Sequence, residues 1–214
     1  MVLILLRHGE TVGNRLGLIL GQRDYALTSA GVASTRKLGD TIVAKYLGPS
    51  SSGSRQTGME RFRGMVFSSP LGRATASAEI YAEKTGWPTI ILAEMAELAC
   101  GEWEGKVRKK VAPDRPTIRG TWTEFPPGGE SYQGASARVK AAIDAIQAVE
   151  DVDLALVVGH GSVNRLFLKI WLDLDPAHAM TINQQHDVAY VLAGANQVSW
   201  INADGQTGQG LGAE

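Results

Sequence analysis

The chemistry of this chain opens on a histidine flanked by an arginine and a glycine, Arg7-His8-Gly9. The arginine offers a planar fork of N–H donors that matches the oxygens of a phosphate. The histidine titrates near neutral pH and can act as nucleophile, acid or base. Gly9 lets the backbone turn tightly and lets a ligand come close. A second histidine, His160, stands between Gly159 and Gly161, 152 positions further on. A second arginine, Arg73, lies in Ser68-Ser69-Pro70-Leu71-Gly72-Arg73-Ala74. Two guanidinium groups, a nucleophilic imidazole and a protonated His160 in one pocket would hold a tetrahedral oxyanion and stabilise a phosphoryl group in flight without a metal. The departing oxygen needs a proton from a carboxyl group. Glu94, Glu97, Glu102 and Glu104 crowd one stretch, and the residue types alone leave the choice among them open.

Such residues act together only if the fold gathers them. Val2 to Leu6 is apolar at every position, which predicts a strand covered on both faces, as in a parallel sheet. Thr28 reads as the N-cap of a helix running to about Tyr46. Met65 to Phe67 and Thr89 to Leu92 read as strands on either side of a helix over Leu71 to Thr85. Ser131 reads as the cap of a helix to about Val149. Leu154 to Val158 is the strongest strand, followed by a helix over Ser162 to Leu172. Val188 to Leu192 and Gln197 to Ile201 read as a hairpin around Gly194-Ala195-Asn196. Gly48 to Gly58 reads as a mobile loop, and the Gly-rich tail over 203–214 as frayed. Strands alternating with helices predict a three-layer α/β/α sandwich with a mainly parallel central sheet, in one domain spanning 1–214. Ligands of such sheets bind beyond the carboxyl ends of the strands. Arg7-His8-Gly9, Ser68-Ser69, Ala93 to Glu97 and Gly159-His160-Gly161 all follow strands, so one rim could carry them all.

The bulk composition agrees. A chain of 214 residues with 44% hydrophobic and 20% charged residues suits one soluble domain with a sizeable core. A net charge of −1 provides no basic field for nucleic acid or membrane, so any anion site is local. The six apolar residues at the N-terminus lack the length and basic flank of a signal peptide. The single cysteine, Cys100, forms no intrachain disulfide, which fits a cytoplasmic location. No Cys/His/Asp cluster has metal-ligand spacing, so neither a metal nor another cofactor is expected.

Taken together and in order, the motifs resemble the histidine phosphatase superfamily, in the branch that includes cofactor-dependent phosphoglycerate mutases and small broad-specificity phosphatases. The matching pieces are Arg7-His8-Gly9-Glu10-Thr11 with Asn14, Gly21-Gln22-Arg23-Asp24 with Leu27-Thr28 and Gly31, and Ser68 to Ala74. They continue with Glu97 and Gly101-Glu102-Trp103-Glu104-Gly105, Pro127-Gly128-Gly129-Glu130-Ser131, and Val158-Gly159-His160-Gly161. The resemblance implies that His8 becomes phosphohistidine, that Arg7, Arg73, His160 and Gly161 surround the phosphoryl group, and that Glu97 is the proton donor. It implies that Asn14 and Gln22 line the phosphate and substrate mouth. The region 99–130 would form a short cap over the C-terminal strand edge. A short cap would leave phosphohistidine open to water, which favours a phosphatase over a phosphoglycerate mutase. A non-catalytic phosphate-binding protein is the third reading.

The substrate expected is a small phosphorylated metabolite. Lys106 to Lys110 carries four basic residues and reads as a solvated face that could attract a second negative group. Trp103 reads as packing. His178 and His186 lack a rim context of this kind and read as surface or core residues. The hairpin over 188–201 reads as a sheet edge that could pair with a second copy in a homodimer.

Overall fold

The computed structural model describes residues 1–48, 63–113, 117–194 and 197–212. The loop expected over Gly48 to Gly58 lies outside them save for Gly48, and so do Ala195 and Asn196 of the hairpin turn. The apolar opening of the chain forms β1 (Val2–Arg7), with Leu3 to Leu6 fully buried. Its alternating side chains serve two cores. Leu3 and Leu5 join one cluster with α5 (Tyr132–Gln147) and α6 (Gly161–Trp171). Ile4 and Leu6 join the other with α2 (Ser29–Tyr46) and α3 (Gly72–Thr85). Burying each such side chain contributes about 1.5–3 kcal/mol, which explains why no polar residue interrupts the run.

Among the described residues seven strands form one sheet in the order β3-β2-β4-β1-β5-β6-β7. The parallel half is β3 (Thr89–Ile91), β2 (Gly64–Ser68), β4 (Leu154–Gly159) and β1. The antiparallel half is β5 (Val188–Ala193), β6 (Val198–Asn202) and β7 (Thr207–Gln209). With helices on both faces this is the expected three-layer α/β/α arrangement, mixed at one side.

Two expectations about that side need correction. The hairpin over 188–201 is not a sheet edge, because β5 pairs with β1 and β6 pairs with β7. The tail is not frayed through residue 212 either. Asn202 Oδ1 accepts from the Asp204 and Gln206 N–H groups, turning the chain into β7, and Tyr190 donates to the Leu211 carbonyl. Pairing and one buried tyrosine outweigh the entropy of a glycine-rich segment. The chain also forms three short helices, α1 (Val12–Arg15), α4 (Arg108–Val111) and α7 (Pro176–Thr181). No helix among the described residues is long and apolar enough to cross a membrane.

The described residues of the segment 99–130 bond to the loop after α1. Its Lys106 carbonyl accepts from Ile19 N–H, Gly105 N–H donates to Ile19, and Arg108 N–H donates to Gly17. Its base is closed by Glu130 N–H donating to the Ala99 carbonyl and by the buried Arg119, which donates to the carbonyls of Ala99 and Glu130.

Candidate active site

Strand register brings the two remote histidines together. In the parallel pair β1/β4, Arg7 lies opposite Gly159, so His8 and His160 are the next residues beyond two neighbouring strands. His8 N–H continues the ladder to the Gly159 carbonyl at 3.1 Å, and the ring centroids stand 5.1 Å apart. The Ser68↔Val158 pair brings Ser69 to the same rim, and Arg73 follows on the first turn of α3. Gly9 is used for close approach rather than for an unusual backbone angle. A Cβ there would stand 2.8 Å from the Gly31 carbonyl oxygen of α2.

Hydrogen bonds define the state of each ring. His8 Nδ1 donates to the Gly9 carbonyl at 2.7 Å, which leaves Nε2 with its lone pair. Arg73 Nε–H points at that lone pair from 3.2 Å. The rest of the Arg73 guanidinium is held by the Gly21 and Arg23 carbonyls and by Asp24. His160 Nε2 lies 2.7 Å from Ser69 Oγ, and Ser69 Oγ already accepts from Leu71 N–H. His160 Nδ1 is buried without a protein partner. Arg7 donates from Nη1 to the Gln184 carbonyl at 2.8 Å, while its buried Nε–H also lacks a protein partner.

Burial, then His160, Arg7, His186 and Arg73, hold His8 well below the usual imidazole range. Burial, then Arg73, Arg7 and Arg138, do the same to His160. Burial first, and then the neighbouring cations, disfavour a proton on His160 in the unliganded site. Burial lowers Arg7 to about 10, with Glu97 opposing, and Arg7 remains charged at neutral pH. The positive charge of the pocket therefore resides on arginines, Arg7 and Arg73 beside His8 and Arg108 and Arg165 elsewhere in the lining.

Glu97, from the segment after β3, projects to the start of α6. Its Oε1 accepts from the N–H groups of Leu98 and Val163, and its Oε2 from Ser162. It lines a cavity of about 160 Å³ together with Arg7, His8, Arg73, Asn14 and Gly161. Of the four candidate carboxylates, Glu97 alone is in that lining: Glu104 turns aside to accept from Gln22 and Cys100 N–H, and Glu102 is exposed. Asn14 reaches the cavity while its Oδ1 caps α1 through Thr11. Gln22 is exposed and outside the lining, and its amide donates to the Glu97 carbonyl at 3.1 Å. The cap contributes Cys100, Arg108, Thr117 and Ile118 to the cavity wall. Among the described residues no cluster of His, Cys, Asp or Glu is arranged to hold a metal ion.

Reading the sequence by strand ends missed Arg165 and Asn183 of the lining and, beside the nucleophile, a third histidine. His186, expected at the surface or in the core, stands with its ring centroid 5.2 Å from that of His8. The signal lay in the antiparallel register. Each β1/β5 pair, such as Val2↔Ala193 and Leu6↔Ala189, continues beyond the strand to set the 186–187 region beside His8 and Gly9. His178, by contrast, lies on the exposed α7.

Solved structures share this architecture. A mycobacterial glucosyl-3-phosphoglycerate phosphatase complexed with VO3 superposes with a TM-score of 0.74 at 22% identity, covering 94% of this chain and 96% of that one. The α-ribazole phosphatase of Shigella flexneri superposes with a TM-score of 0.70 at 21% identity, covering 99% and 95%. In sequence, the adenosylcobalamin/α-ribazole phosphatase of Salmonella typhimurium is 28% identical over 182 residues, 83% of this chain and 82% of that protein. The Probable phosphoglycerate mutase GpmB of Erwinia tasmaniensis is 29% identical over 180 residues, 82% of this chain and 76% of that protein. The sequence profile of the histidine phosphatase superfamily (branch 1) matches residues 3–201, from the strand that carries His8 to the sixth strand of the sheet, and the chain belongs to that superfamily.

Proposed function

We propose that this chain hydrolyses a small phosphomonoester through a phosphohistidine on His8, without a metal ion. The observation that carries this reading is a ring nitrogen kept as a lone pair beside the buried Arg7 Nε–H, which has no protein partner. A buried donor left unpaired costs about 1–3 kcal/mol, and a phosphoryl oxygen would relieve it. His8 Nε2 attacks phosphorus, the P–N bond forms, and the ester P–O bond breaks. Glu97 hands a proton to the departing oxygen. The imidazolium formed at His8 keeps its Nδ1–H on the Gly9 carbonyl, while Arg7 and Arg73 balance the charge on the equatorial oxygens. Water then attacks phosphorus, Glu97 takes up its proton, and orthophosphate leaves with His8 restored.

The mutase reading replaces that water by a hydroxyl of a phosphorylated acid. It draws on the likeness to the Erwinia tasmaniensis protein, whereas the shortness of the cap supports access of water. The deciding measurement is turnover of p-nitrophenyl phosphate with no bisphosphate primer and with a chelator present. Steady turnover is expected, with His8→Ala lowering it by at least ~10³-fold. Dependence on a primer would favour the mutase. Loss of activity on chelation would remove the metal-free mechanism. Vanadate binding without any turnover would leave a non-catalytic phosphate binder.

A further inference from the structure

The loop between α7 and β5 supplies none of the groups that react above, yet it grips the residues that do. The Gln184 carbonyl holds Arg7 Nη1 at 2.8 Å. The buried Gln184 side chain spans three elements, donating to the Leu5 and Val188 carbonyls and accepting from Asn164 of α6. The loop is therefore anchored in the core rather than draped over the surface. Two residues on, His186 Nδ1 lies 2.6 Å from the carbonyl oxygen of His8. A carbonyl oxygen only accepts, so Nδ1 carries the proton of the His186 ring.

This contact completes the fixation of the nucleophile. His8 N–H is bound to Gly159 of β4, and the following Gly9 N–H is bound to Ser77 Oγ of α3 at 3.0 Å. The ring Nδ1–H is bound to the Gly9 carbonyl. The carbonyl of His8 itself is bound to His186. Burial, and then Arg7, push the pKa of His186 down to about 4, so it holds this carbonyl as a neutral donor across the physiological range. A neutral donor adds no cation to compete with Arg7 and Arg73 for phosphate.

Resting on the phosphohistidine reading, the geometry points to His186 as a positioning residue for the nucleophile. Its Nδ1–H clamps the His8 carbonyl and so fixes the pivot from which the imidazole reaches phosphorus. An error of about 1 Å in that reach costs on the order of 10²-fold in rate. The clamp should therefore be read in the rate of phosphohistidine formation more than in substrate affinity.

The test compares His186→Asn, whose amide nitrogen can take the place of Nδ1, with His186→Ala and with the similarly sized His186→Gln. Phosphohistidine, trapped by alkaline quench during a single turnover of p-nitrophenyl phosphate, gives the rate of the first step. His186→Ala and His186→Gln should slow it about tenfold or more with KM changed less than about twofold, and His186→Asn should recover to within about threefold of the unaltered enzyme. Thermal melts of each variant separate a slow enzyme from an unfolded one. Unchanged rates in folded His186→Ala, or equal losses in folded His186→Asn and His186→Gln, would overturn the clamp. An unaltered enzyme that forms no phosphohistidine would overturn the reaction instead. Long-range 1H–15N correlation of the resting enzyme then judges the clamp directly, since a His186 tautomer protonated on Nε2 is incompatible with it.

Discussion

At the scale of single residues, Glu97 bears the sharpest test. Its oxygens accept from three backbone N–H groups, so the carboxyl is fixed in place at the mouth of α6. Glu97→Gln keeps the size but cannot donate a proton from oxygen, and its amide would set a donor against Ser162 N–H or Val163 N–H. The expected result is that kcat/KM for an alkyl phosphate falls at least about tenfold further than for p-nitrophenyl phosphate, whose leaving group needs no proton. Equal slowing of the two would remove Glu97 as the acid. The residues legible in the sequence lie at or near the ends of parallel strands, where local pattern and position on the rim coincide. Arg7, His8, Arg73 and His160 were singled out that way, whereas Glu97 was chosen among four glutamates through the family resemblance. His186 was not, because it precedes an antiparallel strand whose register with β1 no local pattern reveals. The direction of the His160 shift was not legible either, since it comes from burial and then from Arg73, Arg7 and Arg138.

Elements impose their own constraints, and the packing of the Glu10 loop onto α2 is close enough to exclude a side chain. A Cβ on Gly31 would stand 2.2 Å from the Glu10 carbonyl oxygen. Thr28 N–H donates to that same carbonyl, so the loop cannot withdraw without breaking the helix start. Alanine improves helix propensity by at most about 1 kcal/mol, less in a first turn, whereas overpacking against backbone costs about 1–3 kcal/mol. Gly31→Ala should therefore destabilise the fold by about 1–2 kcal/mol in denaturant titration and lower turnover, because Glu10 adjoins the Gly9 turn under His8. A gain in stability would mean that the loop yields. The central strands β1 and β4 were legible because burial on both faces forces continuous apolar runs. β7 was hidden, because Thr207-Gly208-Gln209 has the composition of a loop and becomes a strand only through β6 and the turn at Asn202.

For the molecule as a whole, the three imidazoles of the site couple catalysis to stability. His8, His160 and His186 are all held below the ordinary imidazole value of 6.5, with His186 at about 4. Unfolding returns each to that ordinary value. Between 6.5 and the folded values the unfolded chain binds more protons, so stability is complete above about 6.5 and declines as pH falls. The lowered carboxyls Glu130 and Asp175 act in the same direction but at lower pH. Thermal melts from pH 7 to pH 4.5 should show Tm falling steadily from the histidine range downward, and a flat profile above pH 5 would contradict the neutral rings. The three-layer architecture was legible as a whole because alternation of strand and helix dominates the chain. The mixed side of the sheet was not, since antiparallel closure depends on contacts far apart in sequence.

The central place of β1 has a consequence for how the protein is made. The strand is made before either of its neighbours in the sheet, which begin at residues 154 and 188. This apolar strand and the histidine after it thus await their strand partners over a long stretch of synthesis, and the ring proposed to steady that histidine comes 178 positions after it. Closure of such distant pairings is slow, and the waiting strand is exposed to other chains in the meantime. A strand made long before its neighbours is enclosed late, and His8 meets His160 only after the 152 positions between them have been made.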